Sequence, residues 1–325
     1  MEYLYGGDYM KRILVTGALG QIGSELTMYL RKLYGYNNVI ASGLHKEDNA
    51  TVIESGHYEI IDVQNASQLY DCVKKYKIDT IIHLAAILSA VGEDNPSLAW
   101  KINVDGLFNT LEIARENNCA VFTPSSIAAF GPTTPCDQTP QLTVQRPTTM
   151  YGVTKVSGEI LCDYYNLRYG VDTRGVRYPG IISYVTLPGG GTTDYAVHIY
   201  YDALLKGKFT CNLNKGTFMD MMYMPDALDA VVQLMEANPE KLINRNAFNI
   251  TAMQFDPEII YHEIKRHIPT FEMDYKIDPI KQKIADSWPN SLDDRAAREE
   301  WGWKPKYNLE SMTIDMLDKL KEKLK

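Results

Sequence analysis

Ser126, Tyr151 and Lys155 supply a hydroxyl, a phenol and an ammonium. Brought together, these groups share one proton path to or from a substrate oxygen. In Tyr151-Gly-Val-Thr-Lys155 the tyrosine and lysine stand four apart, on one face of any helix that carries them. A phenol is a poor base at neutral pH. An ammonium beside it favours the phenolate, which makes the pair a general acid–base device. Ser126, twenty-five residues upstream of Tyr151, can hold the substrate oxygen against the phenol. The spacing alone is weak: Tyr70/Lys74 and Tyr261/Lys265 repeat it. Only Tyr151 follows a strand that ends in serine, so context selects it.

The strand in question is Ala120–Ser126, the fifth in a series. Arg12–Thr16 reads as a short buried strand, and Gly17, Gly20 and Gly23 open a helix after it. In that setting Gly17 serves a tight turn. Gly20 lets backbone N–H groups near Gln21 and Ile22 approach a pyrophosphate at the positive helix end, and Gly23 lets helix and strand pack closely. The bland alternative is a structural turn. The second strand, Asn38–Ser42, brings a departure, because no acid stands at its end to hold an adenosine ribose. Ser42 is the candidate there. His45 and Lys46 are positioned to attract a 2′-phosphate, and the first acid is Glu47, so the choice between NAD and NADP stays open.

The third and fourth strands are expected over Tyr58–Val63 and Thr80–Ala86. Asp62 and Val63 would meet the adenine, and Leu84, Ala85 and Ala86 would lie against the cofactor. His83 reads as a satisfied strand histidine. A helix is expected from Pro96 to Asn117. Strands alternating with helices imply right-handed crossovers and an α/β doubly wound parallel sheet, with ligands at the C-terminal edge of its strands.

At these residues the chain resembles the extended short-chain dehydrogenase/reductases. The matching pieces are Thr16-Gly17-Ala-Leu-Gly20-Gln-Ile-Gly23, Asp62-Val63, His83-Leu84-Ala85-Ala86, Asn103, Ser125-Ser126, Tyr151-Gly-Val-Thr-Lys155 and Arg177-Tyr178-Pro179-Gly180. The resemblance implies a Rossmann-type sheet with a smaller C-terminal substrate lobe. It implies catalytic roles for Ser126, Tyr151 and Lys155, and cofactor contacts at Asn103, Tyr151, Lys155, Tyr178 and Gly180. Three further segments, Leu88-Ser89-Ala90, Gly190-Gly191-Thr192-Thr193-Asp194-Tyr195-Ala196 and Asp286-Ser287-Trp288-Pro289, are similar to short-chain L-threonine 3-dehydrogenases, which oxidise the threonine 3-hydroxyl with NAD+. Backbone and hydroxyls of a Gly191-Thr192-Thr193 turn would receive a carboxylate. Ser89 would reach the same pocket, and Trp288 would close it. Helix capping, a loop hydroxyl and core packing are the plainer roles for these residues. A sugar-nucleotide epimerase or dehydratase, and a nucleotide sensor without chemistry, are the competing functions.

Length and patterning suggest a cofactor-binding unit at residues 1–180, with a return segment near 218–240, where Met221–Met224 run into a helical stretch, and an interleaved substrate lobe at 181–325. It also suggests a homodimer through the helices Pro96–Asn117 and Tyr151–Tyr169. A net charge of −8 argues against nucleic acid as a partner. No apolar run approaches a membrane span, and no basic leader opens the chain. Five scattered cysteines suggest reduced thiols in a cytoplasmic protein. No metal site is expected, since His262 and His267 lack zinc spacing.

Overall fold

The computed structural model describes residues 10–45 and 50–325. Its strands run in chain order as β1 (Ile13–Thr16), β2 (Val39–Gly43), β3 (Tyr58–Ile60), β4 (Thr80–His83), β5 (Ala120–Phe122), β6 (Ser125–Ser126) and β7 (Thr173–Arg174). They continue as β8 (Val176–Tyr178), β9 (Gly180–Ile182), β10 (Lys208–Cys211), β11 (Met219–Tyr223), β12 (Phe248–Asn249), β13 (Met253–Phe255) and β14 (Glu272–Tyr275).

The central sheet is parallel, in the order β3-β2-β1-β4-β5-β7. Past breaks at Thr123-Pro124 and Gly175 the same two chains run on as β6 and β8, and β12 joins β8. Strand alternation sorts the apolar side chains between two layers. Ile13, Val15, Val39, Ala41, Ile82 and Phe122 enter one core, with Leu26 and Leu30 of the helix Gln21–Tyr34. Leu14, Ile40, Ile81 and Val121 enter the other, with Leu69, Leu111 and Cys162 from three helices. This is the expected doubly wound α/β sheet.

The helix expected from Pro96 to Asn117 is interrupted by a π-turn at Lys101–Asp105. Asn103 sits in that turn. Its amide accepts from Ile87 N at 2.7 Å and donates to Ile87 O and Thr154 Oγ1, both at 3.0 Å. The wider turn brings this amide to the chain leaving β4.

A third core packs the helices Tyr195–Leu205, Pro257–His267 and Leu309–Lys323 on β9, β11 and β13. Here β11 pairs with β9 in parallel and with β13 antiparallel. Only Pro179 separates β8 of the first sheet from β9 of the second. The strand β11 straddles the cores as well: Met219, Met221 and Tyr223 face the third, and Met222 faces the first. The following helix, Met224–Glu236, lies beside Gln21–Tyr34, with Tyr29 bonded to Asp229 and Tyr34 to Glu236.

Candidate active site

The glycine turn works by close approach. Gly17 has a φ of +65°, and a Cβ there would stand 2.7 Å from the Ala85 nitrogen. A Cβ on Gly23 would overlap the Gly17 carbonyl. The 14-residue helix Gln21–Tyr34 begins at Gly20 with no side-chain cap and no acid in its first turn. Free N–H groups and the positive end of the helix therefore face the cleft, as a pyrophosphate requires.

That cleft encloses about 260 Å³. Gly17, Gly20, Gln21, Ile22, Gly23, Leu84 and Ala86 line one side, and Ser126, Tyr151, Lys155 and Tyr178 the middle. Ser89, Gly191, Thr192, Thr193 and Trp288 line the far side. Residues from segments far apart in sequence thus share one cleft.

Ser126 ends β6 and caps the next turn, its Oγ accepting from Ala128 N at 3.2 Å. Tyr151 lies in the first turn of the helix Met150–Tyr169, which Thr149 caps through Gly152 N at 3.1 Å. A Cβ on Gly152 would overlap the Ala128 carbonyl, so glycine there lets the tyrosine helix seat on the serine turn. One turn on, Lys155 Nζ donates to the Pro124 carbonyl at 2.8 Å and stands 5.4 Å from the Tyr151 ring centre.

A buried ion pair lies behind these groups. Glu159 accepts from Arg177 Nε at 2.9 Å and Nη2 at 2.8 Å, from Gln145 at 2.8 Å, and from the Ser125 hydroxyl. Arg177 also donates to Gln141 O and Asn249 Oδ1. The sequence reading missed this network, since two charges eighteen residues apart carry no local sign of their pairing.

On the far side Gly180 makes room, since a Cβ there would lie 2.9 Å from Thr193 Cβ. Thr192–Asp194 form a 3₁₀ turn that leads into the helix Tyr195–Leu205. Asp194, also unforeseen, lines the cleft and accepts from Gly190 N at 2.8 Å. Burial pushes its carboxyl above the usual range.

Some expected cofactor residues lie off the cleft wall. Ser42 is buried and donates to the Val15 carbonyl at 3.2 Å, because strand alternation turns it away from the face that Gly43 shares with the glycine turn. Val63 packs in the core under Gly106. Asp62 accepts from Gln64 N at 2.9 Å, in a local turn beyond β3. Ala85 and Asn103 border a smaller cavity of about 30 Å³ beside Lys155. His83 lines it too. Its Nδ1 meets Thr16 and Thr110, whereas its Nε2 is buried without a partner. Burial pushes its pKa down to about 3, so it stays neutral. Lys46 and Glu47, weighed for the ribose, lie outside the described residues.

Tyr261 and Lys265 do bond to each other, at 2.7 Å, but away from the cleft. His262 and His267 each face a glutamate on their own helix. Among the described residues no cluster of His, Cys, Asp and Glu could hold a metal, and no helix is long and apolar enough to cross a membrane.

A doubly wound sheet, a glycine turn at a helix start, and serine, tyrosine and lysine on one cleft define a nicotinamide-dependent oxidoreductase, with NAD as cofactor. The model of the NAD dependent epimerase/dehydratase family matches residues 13–251, and the chain belongs to that family. It is similar to an L-threonine dehydrogenase of Clostridium difficile, at 61% identity over 97% of this chain and 99% of that one, with a TM-score of 0.95. It is similar also to a monomeric L-threonine 3-dehydrogenase from a metagenome, at 44% identity over 96% of this chain and all of that one, with a TM-score of 0.92. An uncharacterised epimerase/dehydratase of Staphylococcus saprophyticus is 52% identical over 97% of this chain and 99% of its own.

Proposed function

We propose that the protein oxidises the 3-hydroxyl of L-threonine with NAD+, giving 2-amino-3-oxobutyrate in threonine catabolism. The observation that carries this reading is the far wall of the cleft, where Ser89, Gly191, Thr192, Thr193, Asp194 and Trp288 face the catalytic set. These groups suit a small zwitterion. The threonine hydroxyls and backbone N–H groups receive its carboxylate, the Asp194 carboxylate its ammonium, and Trp288 limits water. The likeness to enzymes named for threonine supports the same choice.

In this reading Ser126 holds the substrate hydroxyl by a hydrogen bond. Tyr151 takes its proton through the phenol oxygen as the C3–H bond breaks. Lys155, fixed on the Pro124 carbonyl, keeps positive charge beside the phenol. Bound NAD+ supplies the hydride acceptor. The alcohol thus loses one hydride and one proton and becomes a ketone.

Residues 181–325 form the substrate lobe in this scheme, interleaved with the cofactor unit through the return segment 218–240. Trp100, Phe108, Ile160, Tyr164 and Leu167 are exposed on the helical face that would join two copies, so we assign a homodimer. Light scattering that gives a monomer at micromolar concentration would remove that assignment. All five cysteines are unpaired, which suits a reducing cytoplasm.

The deciding experiment is NADH formation at 340 nm with purified protein, NAD+ and L-threonine, with D-threonine, L-allo-threonine, L-serine and NADP+ in parallel. Turnover with L-threonine and NAD+ alone is expected. Silence with every amino acid overturns the substrate and favours a sugar-nucleotide epimerase, for which NAD should copurify with the protein.

A further inference from the structure

We propose that the Tyr58 hydroxyl takes the place of the missing acid at the end of β2 and reads the adenosine ribose 2′-OH. The inference rests on the NAD site and not on the identity of the substrate. In dinucleotide-binding turns the ribose acid follows the glycines by about twenty residues, and twenty residues past Gly23 this chain has Gly43. A Cβ built on Gly43 would lie 3.5 Å from Leu19, within the glycine turn, so the position faces the cofactor side. The same Cβ would stand 2.8 Å from Tyr58 Oη. The phenol thus reaches across from the start of β3 into the space where a carboxylate would begin. There its hydroxyl donates to the His45 carbonyl, fixing the chain that leaves β2.

The chemistry of this replacement differs from that of an acid. A phenol oxygen that donates to His45 can also accept from a ribose hydroxyl. It carries no charge to repel a 2′-phosphate, but a fully ionised phosphate has no proton to offer it. Discrimination for NAD then depends on one neutral hydrogen bond and on filled space. A second consequence is that an aspartate cannot simply be added at Gly43, because its Cβ meets the phenol.

The test is calorimetric titration of the wild-type protein and Tyr58→Phe with ADP and with 2′-deoxy-ADP. A neutral hydrogen bond of about 1 kcal/mol corresponds to a ratio of about fivefold. The wild type should bind ADP tighter by that ratio, and Tyr58→Phe should bring the two ligands close to equality. An unchanged ratio in Tyr58→Phe overturns the proposal, even if both affinities fall together, since a purely structural tyrosine would do that. Should Tyr58→Phe fail to fold, Gly43→Asp and the double variant Gly43→Asp/Tyr58→Phe decide. The single variant should lose ADP affinity and the double should recover it with a larger ratio. Equal binding by both would show that the phenol does not occupy the acid's place. Absence of ADP binding by the wild type overturns the proposal together with the nucleotide site. Tight ADP binding without threonine turnover leaves it standing.

Discussion

Around Tyr151, in the middle of the cleft, support comes from buried charge: Glu159 holds Arg177 and Ser125 at once. On the side lined by the glycine turn, Gly17, Gly20 and Gly23 present mostly backbone, and beyond them the Tyr58 hydroxyl donates to the His45 carbonyl. The first arrangement fixes a geometry, because removing either ion leaves its partner buried and unpaired. The second recognises a ligand with few commitments, so substitutions there should shift preference more than they disturb the fold. The difference separates what the chemistry requires from what the cofactor tolerates.

The largest effect expected is that of Tyr151→Phe. Its kcat should fall by about 10²- to 10⁴-fold, the usual worth of a positioned acid–base group, with ADP binding retained in calorimetry. Near-normal turnover would remove Tyr151 as the base. Glu159→Ala should cost about 3–5 kcal/mol of stability in denaturant unfolding, as for other buried pairs that lose one partner. Adding Arg177→Met should return part of that loss. If the single variant is as stable as wild type, the contrast between the two regions fails.

Thr193→Val tests the substrate wall. A lost hydroxyl contact of about 1–2 kcal/mol should raise KM for threonine roughly five- to thirtyfold, with a smaller change in kcat. An unchanged KM would reduce Thr193 to packing beside Gly180.

The smallest effect concerns pH. Burial raises the Asp220 carboxyl to about 7, although Leu292 N and Thr251 bond to it. The folded protein therefore holds this proton up to about pH 7, whereas the unfolded chain loses it near the ordinary aspartate value of 3.8. Stability is greatest below the lower value and declines as pH rises between the two. In Asp220→Asn the fall in melting temperature between pH 5 and 7 should be shallower. An identical slope would place the titration elsewhere, with Glu25 the next candidate, since burial holds its carboxyl at about 7 as well.

Much of the sheet, and the gathering of Ser126, Tyr151 and Lys155 on one cleft, was legible in the sequence, for physical reasons. β1, the glycines and the helix after them follow one another within a short stretch, so periodicity and turn chemistry reveal them. Ser126, Tyr151 and Lys155 are recognisable because few other residue types could do the work proposed for them. The decoy pair shows the limit of the pattern: Lys265 reaches Tyr261 at 2.7 Å, yet no cleft is there. Glu159 and Arg177 stayed hidden because two charges eighteen apart leave no local signature. The placement of Ser42 depends on which face of β2 each residue takes, and one step of alternation decides it. Tyr58 was unreadable for a related reason, since its meaning comes from the strand beside it.

The single residue Pro179, between β8 and β9, has a consequence for how such enzymes can be re-engineered. The chain passes from the cofactor sheet to the other sheet at that residue, and β11 re-enters the first core through Met222. Substrate preference is therefore not a cassette that can be cut out at one seam. A chimera drawing its far wall from a relative must cross between the two cores at least twice, at Pro179 and again in β11, and each crossing must preserve the junction on which both halves are built.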